Sequence, residues 1–135
     1  MTSDPVLIQM ATQLKDAGNG KFREKDFPAA IEKYQEAIGQ AEQVKERNAE
    51  VDKLSIAILQ NMSVCTNNTE DWRSTISNCT KALDIDGSAK KALYLRSVAY
   101  GKVGELAQSM ADIVAAIKLD PADTNLRAHH AAIKK

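Results

Sequence analysis

Lys15, Asn19 and Phe22 follow one another at intervals of four and three residues. On an α-helix that spacing puts an ammonium, an amide and an aromatic ring on one face. Lys91, Leu95, Val98 and Lys102 lie at offsets of 4, 7 and 11 from the first of them, so a second face carries two cations and two apolar side chains. Such groups hold a ligand by donating hydrogen bonds and positive charge. Charge-assisted hydrogen bonds to a carboxylate contribute roughly 1.5–3 kcal/mol each.

Catalysis has no comparable footing. The sequence contains no Gly-rich phosphate loop, no His-Glu-x-x-His and no Gly-x-Ser-x-Gly. His129 and His130 are adjacent, so on a helix they point about 100° apart and cannot clamp one ion; both are expected at the surface. Cys65 and Cys79 sit inside helical patterns without metal-ligand spacing and are expected to be small core residues. A non-enzymatic protein without a metal or cofactor is expected.

The elements that would position these groups recur along the chain. Ile31, Ala37 and Ile38 match Ile76, Ala82 and Leu83, and again Met110, Ala116 and Ile117, with Phe27, Trp72 and Leu106 upstream. The second and third sets are 34 residues apart and the first two 45 apart, which is one period plus an insertion of 11. A fixed period near 34 with helical spacing inside each unit is the mark of a helix-turn-helix array.

Helices are expected at about 5–24, 29–45, 51–67, 72–83, 89–102 and 106–118, and an amphipathic segment at 122–135 with Leu126, Ala131 and Ile133 on one side. Ser3 or Asp4 would cap the first helix, while Pro5 and Pro28 suit first-turn positions. The inserted stretch, Glu42 to Asp52, is charged and lacks Gly and Pro. It is expected to form solvated extra helical turns that project from the stack, with a break near Asn48. Tyr34 and Trp72 are expected in the core, and Phe22 and Tyr94 along a groove. Three units stacked in register bury a continuous core and curve into a superhelix whose hollow is lined by the first helix of each pair.

Composition excludes several rivals. The 18 basic and 18 acidic residues cancel, so no general attraction to nucleic acid or to an anionic membrane is expected. No apolar run is long enough to span a bilayer, and the amino terminus lacks a secretion signal. A cytoplasmic monomer is expected, and the Asn-x-Ser/Thr triplets at Asn61, Asn67 and Asn78 are set aside as glycosylation sites.

The repeat resembles the tetratricopeptide family. With Ala11, Ile56 and Lys90 as position one, position eight holds Gly18, Ser63 and Ser97; position 20 holds Ala30, Thr75 and Ser109; position 27 is alanine in every unit. Thr75 and Ser109 are larger than the family's usual alanine, which would loosen the packing within those pairs. The resemblance implies an all-α, right-handed superhelical solenoid forming a single domain over 1–135. Its first repeat would cover about 11–44, with the insertion at 45–55, followed by repeats at 56–89 and 90–123 and a capping helix at 124–135.

The segment Lys15-Asp16-Ala17-Gly18-Asn19, followed by Phe22, is similar to the opening of those members whose groove holds the acidic Glu-Glu-Val-Asp tail of cytosolic heat-shock chaperones, the 90-kDa or 70-kDa class. The resemblance implies a carboxylate clamp at Lys15, Asn19, Asn61 and Lys91, with Phe22, Tyr94, Leu95, Val98 and Lys102 as further peptide contacts. The fifth clamp residue, an arginine in the family, is Leu95 here, and Arg96 is turned about 100° off that face. Co-chaperone or adaptor activity is therefore expected. The alternative is a scaffold that takes a more apolar partner segment without a working clamp.

Overall fold

The structure is a computed structural model that describes residues 2–134. Seven α-helices make up its regular structure among those residues: α1 Asp4–Arg23, α2 Phe27–Glu42, α3 Ala49–Asn68, α4 Trp72–Ile85, α5 Lys90–Lys102, α6 Leu106–Leu119 and α7 Thr124–Lys134. Consecutive helices pack as neighbours, and α1 also touches α3 as α3 touches α5. That pattern places α1, α3 and α5 side by side along one surface.

Turn chemistry sets the pairs. Asp26 and Asp71 cap α2 and α4 by accepting from the backbone N–H of Ala29 and Ser74. Just before them Lys25 and Glu70 adopt φ of 61° and 60°, and Gly104 holds the matching place before α6 with φ 83°. These three left-handed residues recur at the spacing of the repeats, yet only the last is the residue type that adopts this conformation without strain. Pro28 stands in the first turn of α2, whose helix begins one residue before it, at Phe27.

Within each pair the helices cross at the small residues. Gly18 is buried beneath the Tyr34 ring, where an added Cβ would lie 2.6 Å from Cε1. In the second pair the Thr66 and Thr75 hydroxyls share a 2.5 Å hydrogen bond, and the Cys79 thiol lies 3.4 Å from the Ser63 hydroxyl. In the third, Ser97 Oγ donates to the carbonyl of Ser109 and Ser109 Oγ donates to that of Ser97, both at 2.7 Å. The expected loosening at Thr75 and Ser109 is thus corrected. Both are fully buried, because their hydroxyls find partners on the facing helix.

The main core joins Ala11, Tyr34, Ala37, Ile58, Leu59, Met62, Cys65, Cys79, Ala82 and Leu95. Burial pushes both thiols up to about 11, so neither is a reactive thiolate near neutral pH. Tyr34 is in the core as expected, whereas Trp72 is only partly buried, its ring covered by the ammonium of Lys102 at 5.8 Å.

Three further expectations are corrected. The insertion does not project: α2 stops at Glu42, and Val44 and Val51 pack on Leu7 of α1 in a small core of their own. Ser3 makes no side-chain cap, and Asp4 instead accepts from the backbone N–H groups of Lys45 and Glu46 at 3.0 Å, which holds its carboxyl below the usual range. On α7, Ala131 is exposed and His129 is half-buried, its Nε2 lying 3.1 Å from Ser97 Oγ and its ring edge-on to Tyr94 at 5.5 Å. The docked face of α7 is therefore Leu126, His129 and Ile133, at i, i+3 and i+7.

Candidate functional site

A recess of about 230 Å³ opens on the α1–α3–α5 surface. Asn19, Phe22 and Arg23 of α1 form one wall, Asn61 and Val64 of α3 the next, Lys91 of α5 the third, and Tyr34 of α2 reaches in from behind. Its centre is a hydrogen-bonded triad. Asn19 Oδ1 accepts from the Tyr34 hydroxyl at 2.5 Å and from Asn61 Nδ2 at 3.1 Å. Both bonds fall on the oxygen, which leaves the Asn19 amide N–H₂ as the part of that side chain still able to donate. Tyr34 is fixed as a donor too, because burial, with a smaller contribution from Cys65, pushes its hydroxyl up to about 12.

Phe22 is 36% exposed and meets Phe27 edge-on at 5.7 Å, so the aromatic rim of the recess is braced by the first residue of α2. Next to it lies a larger cleft of about 590 Å³ between α5 and α7, whose lining includes Lys91, Tyr94, Leu126 and His129. Lys91 borders both hollows.

Neighbouring cations have divided duties. Lys90 bonds Asp120 at 2.9 Å and Asp123 at 3.1 Å, which raises its pKa and ties the start of α5 to the turn before α7. Arg96 is bidentate on the buried Asp112 at 2.7 and 2.8 Å, donates to Thr80 Oγ1 and lies over Tyr100. It faces α4 and α6, away from the recess. Lys15 and Lys91 have no carboxylate partner among the described residues, so their charge is available to a ligand.

Of the nine residues expected from sequence to touch a ligand, Asn19, Phe22, Asn61 and Lys91 share the recess, and Tyr94 stands in the adjoining cleft. Lys15 is half-buried one turn before Asn19 and outside the recess lining. Val98 is half-buried and Lys102 is engaged with Trp72, away from both hollows. Leu95 corrects an expectation: at 7% exposure it belongs to the main core, since its side of α5 packs into the apolar cluster that includes Ile58, Leu59 and Met62 of α3 and Cys79 and Ala82 of α4. Arg23, Tyr34 and Val64 were missed. Arg23 could have been found, because it extends the Lys15–Asn19 stripe by another four residues.

No protein-family model matches the chain. Over 111 residues it is 33% identical to protein unc-45 homolog B of Danio rerio, an alignment covering 82% of this chain and 11% of that protein. The chain thus spans only a small part of the length of this relative. Among solved structures, the tetratricopeptide-containing carboxyl-terminal domain of a Plasmodium falciparum FK506-binding protein superposes with a TM-score of 0.90 at 26% identity, covering 98% of this chain and 91% of that one. The second tetratricopeptide domain of human RPAP3, in complex with the HSP70 peptide SGPTIEEVD, gives a TM-score of 0.80 at 26% identity over 94% of this chain and 97% of that one. This chain is a tetratricopeptide-repeat protein, an all-α solenoid that resembles the repeat domains of chaperone adaptors.

Proposed function

We propose that the recess binds the acidic carboxyl-terminal tail, of Glu-Glu-Val-Asp type, of a cytosolic heat-shock chaperone of the 90-kDa or 70-kDa class, and that the chain acts as a co-chaperone or adaptor in the cytoplasm. One observation supports this reading: the two hydrogen bonds of the triad fall on Asn19 Oδ1, which leaves the Asn19 amide N–H₂ free to donate in a recess also lined by Lys91, whose ammonium has no carboxylate partner among the described residues. A peptide end carries two carboxylates close together, the main-chain one and the aspartate side chain. The amides and Lys91 take the first from one side, and Lys15, a turn earlier on α1, takes the second. An internal peptide segment lacks one of those groups and is rejected.

Binding of a short flexible peptide is expected in the micromolar range, because ordering it offsets much of the contact energy, and it weakens with salt. Calorimetric titration of Met-Glu-Glu-Val-Asp at two ionic strengths tests this. Saturable heat that falls with salt, and falls further in Lys91→Ala, supports the reading; absence of heat at millimolar peptide removes it. The alternative, a more apolar partner segment taken without a working clamp because Leu95 replaces the arginine, has little of Leu95 itself to rest on, since that side chain is covered and Val98 is half-buried.

A further inference from the structure

Leu95 leaves α5 without a guanidinium beside Lys91, yet one is present on the opposite wall. Arg23 lines the recess together with Asn19, Asn61 and Lys91. It lies four residues after Asn19 and eight after Lys15, on the same stripe of α1. Its Nη2 is folded back over Gly20, 3.8 Å from where a Cβ would stand, so no side chain separates the guanidinium from the helix surface there.

The other four arginines are all committed within the protein. Arg47 bonds Asp52 and the carbonyl of Ala41, Arg73 bonds Glu105, Arg96 bonds Asp112, and Arg127 donates to the carbonyl of Pro121. The carboxylate that follows Arg23 in sequence, Glu24, is instead 3.8 Å from Lys21. Arg23 has no carboxylate partner among the described residues, and its charge is close enough to act on the Tyr34 hydroxyl. A planar fork at the rim of a hollow, free of internal partners, matches a carboxylate two-pronged in a way that an ammonium cannot.

We propose that Arg23 supplies the guanidinium of this groove and pairs with a glutamate side chain of the acidic peptide, on the wall opposite Lys91. This rests on the reading of the recess as an acidic-tail site and adds to it a residue on α1 that selects for a second kind of carboxylate. The terminal carboxylates sit with the amides and the lysines, and the glutamate beside the aromatic rim of Phe22 meets Arg23.

The test is calorimetry of Met-Glu-Glu-Val-Asp and of two versions with either glutamate replaced by glutamine, against the unaltered chain, Arg23→Gln and Arg23→Lys. Arg23→Gln is expected to weaken the parent peptide about tenfold, with Arg23→Lys in between. Against one of the two glutamine peptides the same substitution should cost less than about twofold, which identifies the partner glutamate. The thermal midpoint should not move, because Arg23 is exposed. Parent binding unchanged in Arg23→Gln, or an equal loss on all three peptides, overturns the pairing while leaving the groove reading intact. If the unaltered chain binds none of them, both fall together.

Discussion

Asn61 of α3 donates its side-chain amide to Asn19 of α1 at 3.1 Å, across 42 residues of sequence. The same oxygen receives the Tyr34 hydroxyl, so three helices agree on the orientation of one amide before any ligand arrives. Preorganisation of this kind lowers the ordering cost of binding, and it makes the site sensitive to a residue that lines its back.

Tyr34→Phe tests that arrangement. It keeps the ring over Gly18 but removes one of the two donors to Asn19. The expected result is a loss of about 1 kcal/mol in stability, together with peptide binding weakened by about threefold to tenfold. Chemical denaturation and calorimetry measure the two effects separately.

Gly18→Ala should be worse for the fold. The new Cβ would lie 2.6–3.0 Å from three atoms of the Tyr34 ring, which is wedged in the core and cannot move aside freely. Overpacking of this sort costs about 1–3 kcal/mol. A thermal midpoint unchanged from the parent would show that the two helices have room to part.

Lys25 and Glu70 occupy left-handed backbone where a side chain is strained. Lys25→Gly and Glu70→Gly are each expected to stabilise the fold by roughly 0.5–1 kcal/mol, since the relief of strain exceeds the added freedom of the unfolded chain. Urea midpoints report it. The third turn already has Gly104 and serves as the internal comparison.

Acid should loosen the last helix. Burial lowers the pKa of His129 below its ordinary 6.5, so the unfolded chain binds the proton more readily than the folded one. Stability from this group is full above pH 6.5 and is lost as pH falls through the folded value. Lys90, Lys91 and Asp123 face the same cleft, and Lys90 is already bonded to Asp123, so among the described residues lining it no free carboxylate is placed to offset the new charge. Thermal midpoints should fall more steeply between pH 7.5 and 5.5 for the parent chain than for His129→Gln.

The period of the apolar residues made the seven helices and the crossing positions legible, because Gly18, Ser63 and Ser97 occur where two helices must approach closely. What stayed hidden depended on tertiary partners. His129 reads as a surface residue because its contacts with Ser97 and Tyr94 are tertiary, and Leu95 reads as a groove residue because the core it joins is built by other helices and cannot be inferred from α5 alone. The insertion read as free helix because the two amides that hold it, at Lys45 and Glu46, bond to Asp4 some 41 residues away. Asn19 and Lys91 were readable as a pair only through resemblance; Tyr34, which orients the first of them, carries no signal beyond its apolar phase.

The most direct measurement compares Met-Glu-Glu-Val-Asp as the free acid with the same peptide amidated at its carboxyl terminus, titrated into the unaltered chain at low salt. A groove that grips a chain end through the Asn19–Asn61 amides and Lys91 should bind the free acid in the micromolar range and the amide at least about thirtyfold more weakly, the loss of at least one charge-assisted bond. Equal affinity for the two peptides would contradict the clamp.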